Sequence, residues 1–193
     1  MLREKLANKH VILASGSPRR QQFLRDLDLD FEIRLKEIEE VFPENLNAHE
    51  ITNYLAELKA NAFSDELTEN DILITSDTIV WLENKALGKP KNAEDAFVMI
   101  QEMSGKAHEV ITSVCIKTLE RSVTFYETTK VFFLNLTDSE IKYYINLYQP
   151  FDKAGSYGIQ EWIGLVGIEK IEGSYANVVG LPTHRLYYEL MNL

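Results

Sequence analysis

Cysteine is nearly absent: Cys115 is the only one, so no disulfide forms within the chain and its stability rests on packing. In the apolar run VITSVCI that thiol reads as a small buried residue. No apolar run approaches the ~20 residues of a membrane helix, and the amino-terminal MLREKLANKH is too polar for a secretory signal. The expectation is a cytoplasmic protein with no membrane partner. Positive charge is also short, with 20 Lys plus Arg against 30 Asp plus Glu and a net charge of −10. That balance argues against a nucleic-acid polymer as partner and leaves room for a small cationic pocket. The four histidines, His10, His49, His108 and His184, are scattered without HExxH or Cys–His spacing, which argues against a closed zinc site. Neither GxxxxGK[ST] nor GxSxG occurs, so a Walker A loop and an elbow-mounted catalytic serine are both missing.

What is present suits one globular domain over residues 1–193, with 45% hydrophobic and 26% charged residues. Val11 to Ala14 reads as a buried strand, FEIRL as a second, and Ile72 to Thr75 as an interior strand flanked by crossovers. ITNYLAELKANAFSDEL has helical spacing, NAEDAFVMIQEMSG is a helix with Asn92 as cap and Gly105 as stop, and WLENKALGKP between them is turn-like. HEVITSVCIKTL and RSVTFYETTKVFFLNL fit adjacent antiparallel strands, and TDSEIKYYINLY opens on a capping box of Thr137 and Glu140. The segment from Phe151 to Pro182 places glycines between apolar residues and reads as loop and strand, and HRLYYEL closes the chain as a helix.

The first helix carries an electrostatic oddity. Pro18 marks its first turn, so Arg19 and Arg20 stand where free N–H groups and the helix dipole already make the potential positive. Small residues from Ser15 to Ser17, the helix end and two guanidinium forks together suit a phosphate; two solvated arginines are the plainer reading. Asp77 follows the apolar run ILITS and either binds a cation or water at a strand end or makes an Asx turn with Thr78. Glu37, Glu39 and Glu40 form a charge run from which the residues alone do not choose. Lys59 and Lys89 stay ambiguous, while Lys153 and Gln160 lie where the backbone allows a close approach to a ligand.

Taken in order, LASGSPRR, EIEE, YLAELKA, SDTIV, LGKP, MSGKAHEVITSV, DKAGSYGIQ and IEGSYANVVGLP resemble the Maf family of nucleoside triphosphate pyrophosphatases over nearly the whole chain. The resemblance implies an α/β fold with a strongly twisted mixed central sheet, flanking helices and two lobes around a cleft, related to the inosine-triphosphate pyrophosphatase architecture. It implies cleavage of a nucleoside triphosphate between the α and β phosphates, with Mg²⁺ or Mn²⁺ as cofactor. Carried over by position, it selects Ser15, Arg19, Arg20, Lys59, Lys89, Lys153 and Gln160 for substrate and Glu40 and Asp77 for catalysis and metal. Arg20, Lys59 and Gln160 match the branch resembling dTTP and UTP pyrophosphatases; a 7-methyl-GTP pyrophosphatase and a non-catalytic regulator of division are the alternatives.

EWIGLVG and Thr183 depart from the family's more usual residues. The resemblance also implies a homodimer. Tyr143, Tyr144, Tyr148, Tyr187 and Tyr188 suit either a half-wet interface or the cover of a monomer's core.

Overall fold

The computed structural model of the protein describes residues 1–193. In chain order the elements are α1 (Leu2–Lys5), β1 (His10–Leu13), α2 (Pro18–Asp26), β2 (Glu32–Ile33), α3 (His49–Asn61), β3 (Asp71–Leu82), β4 (Lys85–Leu87), α4 (Ala93–Met103), β5 (Ala107–Lys117), β6 (Ser122–Phe133), α5 (Asp138–Tyr148), α6 (Trp162–Gly167), β7 (Ile168–Glu172), α7 (Tyr175–Val179) and α8 (Thr183–Met191). Seven strands form one sheet in the order β2-β1-β3-β5-β6-β7, with β4 paired to β3. β1 is parallel to both β2 and β3, whereas β4 on β3 and β7 on β6 are antiparallel, so the sheet is mixed as expected.

The chain divides into two compact units. The first comprises residues 1–77, 112–127 and 180–193, and the second residues 78–111 and 128–179. In the first, β1 and β3 are covered on both faces. Val11, Leu13, Ile72 and Ile74 pack with Leu24 of α2 and with Leu186 and Leu190 of α8, while Ile12 and Leu73 pack with Ala56 and Ala60 of α3 and with Cys115. Successive side chains of a strand point to opposite faces, so covering both faces removes the apolar-polar alternation. Cys115 is fully buried, as its apolar setting predicts.

The second unit has one core, built from Val80, Leu82 and Leu87, from Ala96, Ile100 and Met103 of α4, and from Ile141, Tyr144 and Ile145 of α5. The capping box of Thr137 and Glu140 forms, and Asn92 caps α4 by accepting from the Asp95 N–H. Of the five tyrosines left between an interface and the cover of a core, Tyr144 is fully buried in this core, while Tyr143 and Tyr188 are exposed.

Other local expectations also change. Asp77 does not end a strand; β3 runs on through it to Leu82 because residues 71–77 are all buried between β1 and β5. The turn-like WLENKALGKP contains a hairpin, Leu82 facing Lys85 across Glu83 and Asn84, both at positive φ as a tight two-residue turn requires. Only Glu32 and Ile33 of FEIRL pair as a strand, α1 adds a helical turn in the polar amino terminus, and α6 and α7 place helix within the glycine-containing segment. No helix is long and apolar enough to cross a membrane.

Candidate active site

The arginine pair at the start of α2 is resolved by where Arg20 turns. Ser17 caps the helix, its hydroxyl accepting the Arg20 backbone N–H at 3.5 Å. The Arg20 side chain reaches back to carbonyl groups, Nε donating to Gly180 O at 2.9 Å and Nη1 to Ser76 O at 2.8 Å. Nη1 also donates to Ser15 Oγ at 3.4 Å, which ties Ser15 into the same cluster. Burial pushes the guanidinium pKa down, and the Arg19 charge adds to that, while Asp77 and Glu40 act in the opposite direction. Carbonyl dipoles and nearby carboxylates therefore offset a charge that the helix end disfavours.

Asp77 and Glu40 meet at the Lys59 ammonium. Lys59 Nζ lies 2.6 Å from Asp77 Oδ1 and 2.8 Å from Glu40 Oε1. The side chains of Lys59 and Asp77 are 14% and 10% exposed, against 44% for Glu40, so the ammonium bridges a shielded and an accessible carboxylate. The first pair needs the contact, because a carboxylate taken from water without a partner is strongly disfavoured. Local packing sets the geometry: Thr75 donates its hydroxyl to the Ala56 carbonyl at 2.7 Å, docking β3 on α3 two residues before Asp77 and one helical turn before Lys59. Of the three glutamates in the acidic run, Glu40 is the one that reaches Lys59. Ser15, Arg20, Glu40, Lys59 and Asp77 thus form one connected cluster within the first unit, with Arg19 adjacent in sequence.

Lys89, Lys153 and Gln160 belong to the second unit. The Gly155 N–H donates to Gly88 O at 3.0 Å, which joins the turn after Lys153 to the residue before Lys89. Gly155 is needed there: its φ is +66°, and a Cβ would stand 2.6 Å from Val80 Cγ2. Lys153 Nζ lies 2.7 Å from Asp152 Oδ1 and 3.1 Å from Glu161 Oε1. Glu161 also accepts from the Tyr144 hydroxyl. Neither Glu161 nor Tyr144 is among the expected site residues. An acid directly after Gln160 was the available signal, but a tyrosine hydroxyl buried on α5 left none.

Nearby in the same unit, His108 Nε2 lies 2.7 Å from the Tyr157 hydroxyl, and its Nδ1 has no hydrogen-bond partner. Burial lowers the imidazole pKa to about 4, so the ring is neutral at ordinary pH. Its ring packs edge-on to both Phe133 and Tyr157.

No group of three or more His, Cys, Asp or Glu side chains gathers to enclose a metal. The donors that do converge, Asp77 and Glu40, share one cation already, which shows that this carboxylate pair suits a positive charge. Two carboxylates completed by phosphate oxygens and water are a set that Mg²⁺ accepts, so the residues fit the implied cofactor without forming a closed cage.

The family model described as "Maf-like protein" matches residues 10–193. A dTTP/UTP pyrophosphatase of Flavobacterium johnsoniae is 64% identical over 193 residues, covering 100% of both chains. Another protein of that name, from Flavobacterium psychrophilum, is 62% identical over 192 residues, covering 100% of this chain and 98% of its own. Among solved structures, the Staphylococcus aureus Ham1 protein superposes with a TM-score of 0.53 at 14% identity, covering 94% of this chain and 100% of its own. That likeness bears out the expected α/β fold class and carries nothing further. With the family match running to the last residue and these relatives spanning the whole chain, the protein is a member of the Maf family.

Proposed function

We propose that the protein hydrolyses dTTP and UTP between the α and β phosphates, releasing the nucleoside monophosphate and pyrophosphate. The substrate class is supported by the names of relatives matched over the full chain. The observation that carries the chemistry is the shielded Asp77 carboxylate, held at 2.6 Å by Lys59 in the cluster that also contains Arg20 and Ser15. A binding protein that only senses nucleotide needs the cations but has no use for a water-activating acid among them.

In this mechanism Asp77 takes a proton from the water that attacks the α phosphorus, and pyrophosphate leaves. Arg19, Arg20, Lys59 and Lys89 bind the triphosphate and offset the charge on the departing group, with Ser15 adding a hydroxyl contact. Lys153 and Gln160 are assigned to substrate binding, and the Gln160 amide offers both a donor and an acceptor to a pyrimidine edge. Asp77 and Glu40 would hold Mg²⁺ or Mn²⁺, which supplies Lewis-acid stabilisation of phosphate charge. Lys59 then exchanges a carboxylate contact for a phosphate oxygen, a trade of one anionic acceptor for another.

Product analysis across dTTP, UTP, CTP, ATP, GTP and 7-methyl-GTP, with Mg²⁺ or Mn²⁺ and after chelation, tests the proposal. Monophosphate plus pyrophosphate from dTTP and UTP, lost on chelation and restored by the cation, is the expected result. Diphosphate plus orthophosphate contradicts the bond assignment, and preference for 7-methyl-GTP contradicts the substrate.

A further inference from the structure

We propose that Glu161, held by the Tyr144 hydroxyl, is a positioning residue that sets the place of Lys153 and of the Gln160 turn for nucleotide binding. The inference rests on the pyrophosphatase reading above.

Glu161 divides its two carboxylate oxygens between two partners. Oε1 faces Lys153 Nζ at 3.1 Å, and Oε2 accepts from the hydroxyl of Tyr144. Tyr144 is fixed in turn, since its ring belongs to the core of the second unit and stacks against Tyr148. The same hydroxyl accepts the Gly158 N–H at 3.0 Å. One buried oxygen on α5 therefore holds both the backbone at Gly158 and the side chain at Glu161, the two ends of the turn that presents Gln160. The Glu161 N–H donates to Gly158 O at 3.0 Å and closes that turn.

Gly158 shows how closely these groups fold together. A Cβ there would stand 2.7 Å from Gln160 Nε2 and 2.8 Å from Glu161 Cδ, so the amide and the carboxylate both lie over its α-carbon. The carboxylate and the amide are thus packed over one glycine, in a turn that the Tyr144 hydroxyl anchors at Gly158.

The charges point the same way. Lys153 and Glu161 side chains are 10% and 18% exposed, while the second partner of the lysine, Asp152, is 55% exposed. An apolar pair of similar volume is commonly as stable as a desolvated ion pair, so stability alone gives no reason for a lysine and a glutamate here. What the pair supplies is a fixed ammonium: Glu161 restrains it from the shielded side and Asp152 marks the side open to solvent.

The test is a double-mutant cycle with Glu161→Gln and Lys153→Met, measuring kcat and KM for dTTP and UTP. Glutamine keeps an acceptor for Tyr144 and removes the charge facing Lys153. Glu161→Gln is expected to raise KM about tenfold with a smaller change in kcat, and to add nothing further in the Lys153→Met background. Full multiplication of the two effects, or a loss confined to kcat, overturns the proposal.

A second readout does not depend on turnover. Competitive acylation of the lysines, read by mass spectrometry, should label Lys153 faster in Glu161→Gln and in Tyr144→Phe than in the unaltered protein. Unchanged labelling in both variants overturns the positioning role, whereas absence of dTTP and UTP turnover in the unaltered protein sinks the functional reading and leaves the labelling test standing.

Discussion

Lys59 in the first unit and Lys153 in the second are held in the same way: each ammonium touches one shielded and one exposed carboxylate. They differ in what holds the shielded acid. Glu161 has a second tether in the Tyr144 hydroxyl, fixed in the core, whereas the hydrogen-bond partner of the Asp77 side chain is Lys59 itself. A competing anion that draws Lys59 away leaves Asp77 with the neighbouring Arg20 charge and open to a water or a cation. The same anion at Lys153 leaves Glu161 still bound to the tyrosine. The first arrangement suits an acid that must change partners during a reaction, and the second suits one that must stay where it is.

Neutralising the two shielded acids separately should give different kinetic losses. Asp77→Asn should lower kcat by about 10³-fold or more while nucleotide binding, followed by calorimetry, stays measurable. The companion change Glu161→Gln should act on KM instead. Near-normal turnover in Asp77→Asn would remove its catalytic role and leave the two acids equivalent.

Acid stability distinguishes the second unit by its buried imidazole. The folded-state pKa of His108 is lowered to about 4 from an ordinary value of 6.5, so between those limits the unfolded chain binds the extra proton. Its stabilising contribution is complete above about pH 6.5 and declines by about 1.4 kcal/mol per pH unit on acidification, roughly 3 kcal/mol in all by pH 4. Denaturant midpoints across this range should fall more steeply for the unaltered protein than for His108→Gln, whose amide does not titrate. Parallel slopes would mean that His108 accepts its proton without unfolding cost.

A smaller effect tests the first unit's guanidinium. Lysine has no planar fork to donate to Ser76 O and Gly180 O together, so Arg20→Lys should lower kcat/KM by roughly 30-fold although the charge is kept. Activity within about twofold of the unaltered protein would show that charge alone suffices. Smallest of all, Glu39→Gln should change kcat/KM by less than about twofold, as expected for an exposed charge outside the Lys59 contact. A large loss there would shift the choice away from Glu40.

Much of this was legible in the residues because the signals were local. Asn92, Thr137 with Glu140, and Pro18 each mark a helix start through bonds made within one turn, and they stand where the folded chain has them. The apolar runs around Ile12 and Leu73 reported strands covered on both faces for the same reason, since burial acts residue by residue. Less legible was the reach of β3 beyond Thr75. Ser76 and Asp77 are polar, and only their enclosure between neighbouring strands keeps them extended. The helices α6 and α7 were hidden by glycines whose usual preference is for turns.

For the candidate site, the residues alone supplied the chemical groups: an arginine pair at a helix start, a carboxylate after an apolar strand, a lysine on a helix, and further lysines and a glutamine in turns. They also determined family membership, because motif order is a property of the chain. Tertiary structure decided the pairings. It chose Glu40 from three glutamates, set Lys59 between it and Asp77, turned Arg20 onto two carbonyls, and made a buried tyrosine the support of Glu161. Every backbone carbonyl looks alike in sequence, and an ion pair between residues 18 or more positions apart depends on distances that exist only after the core has packed.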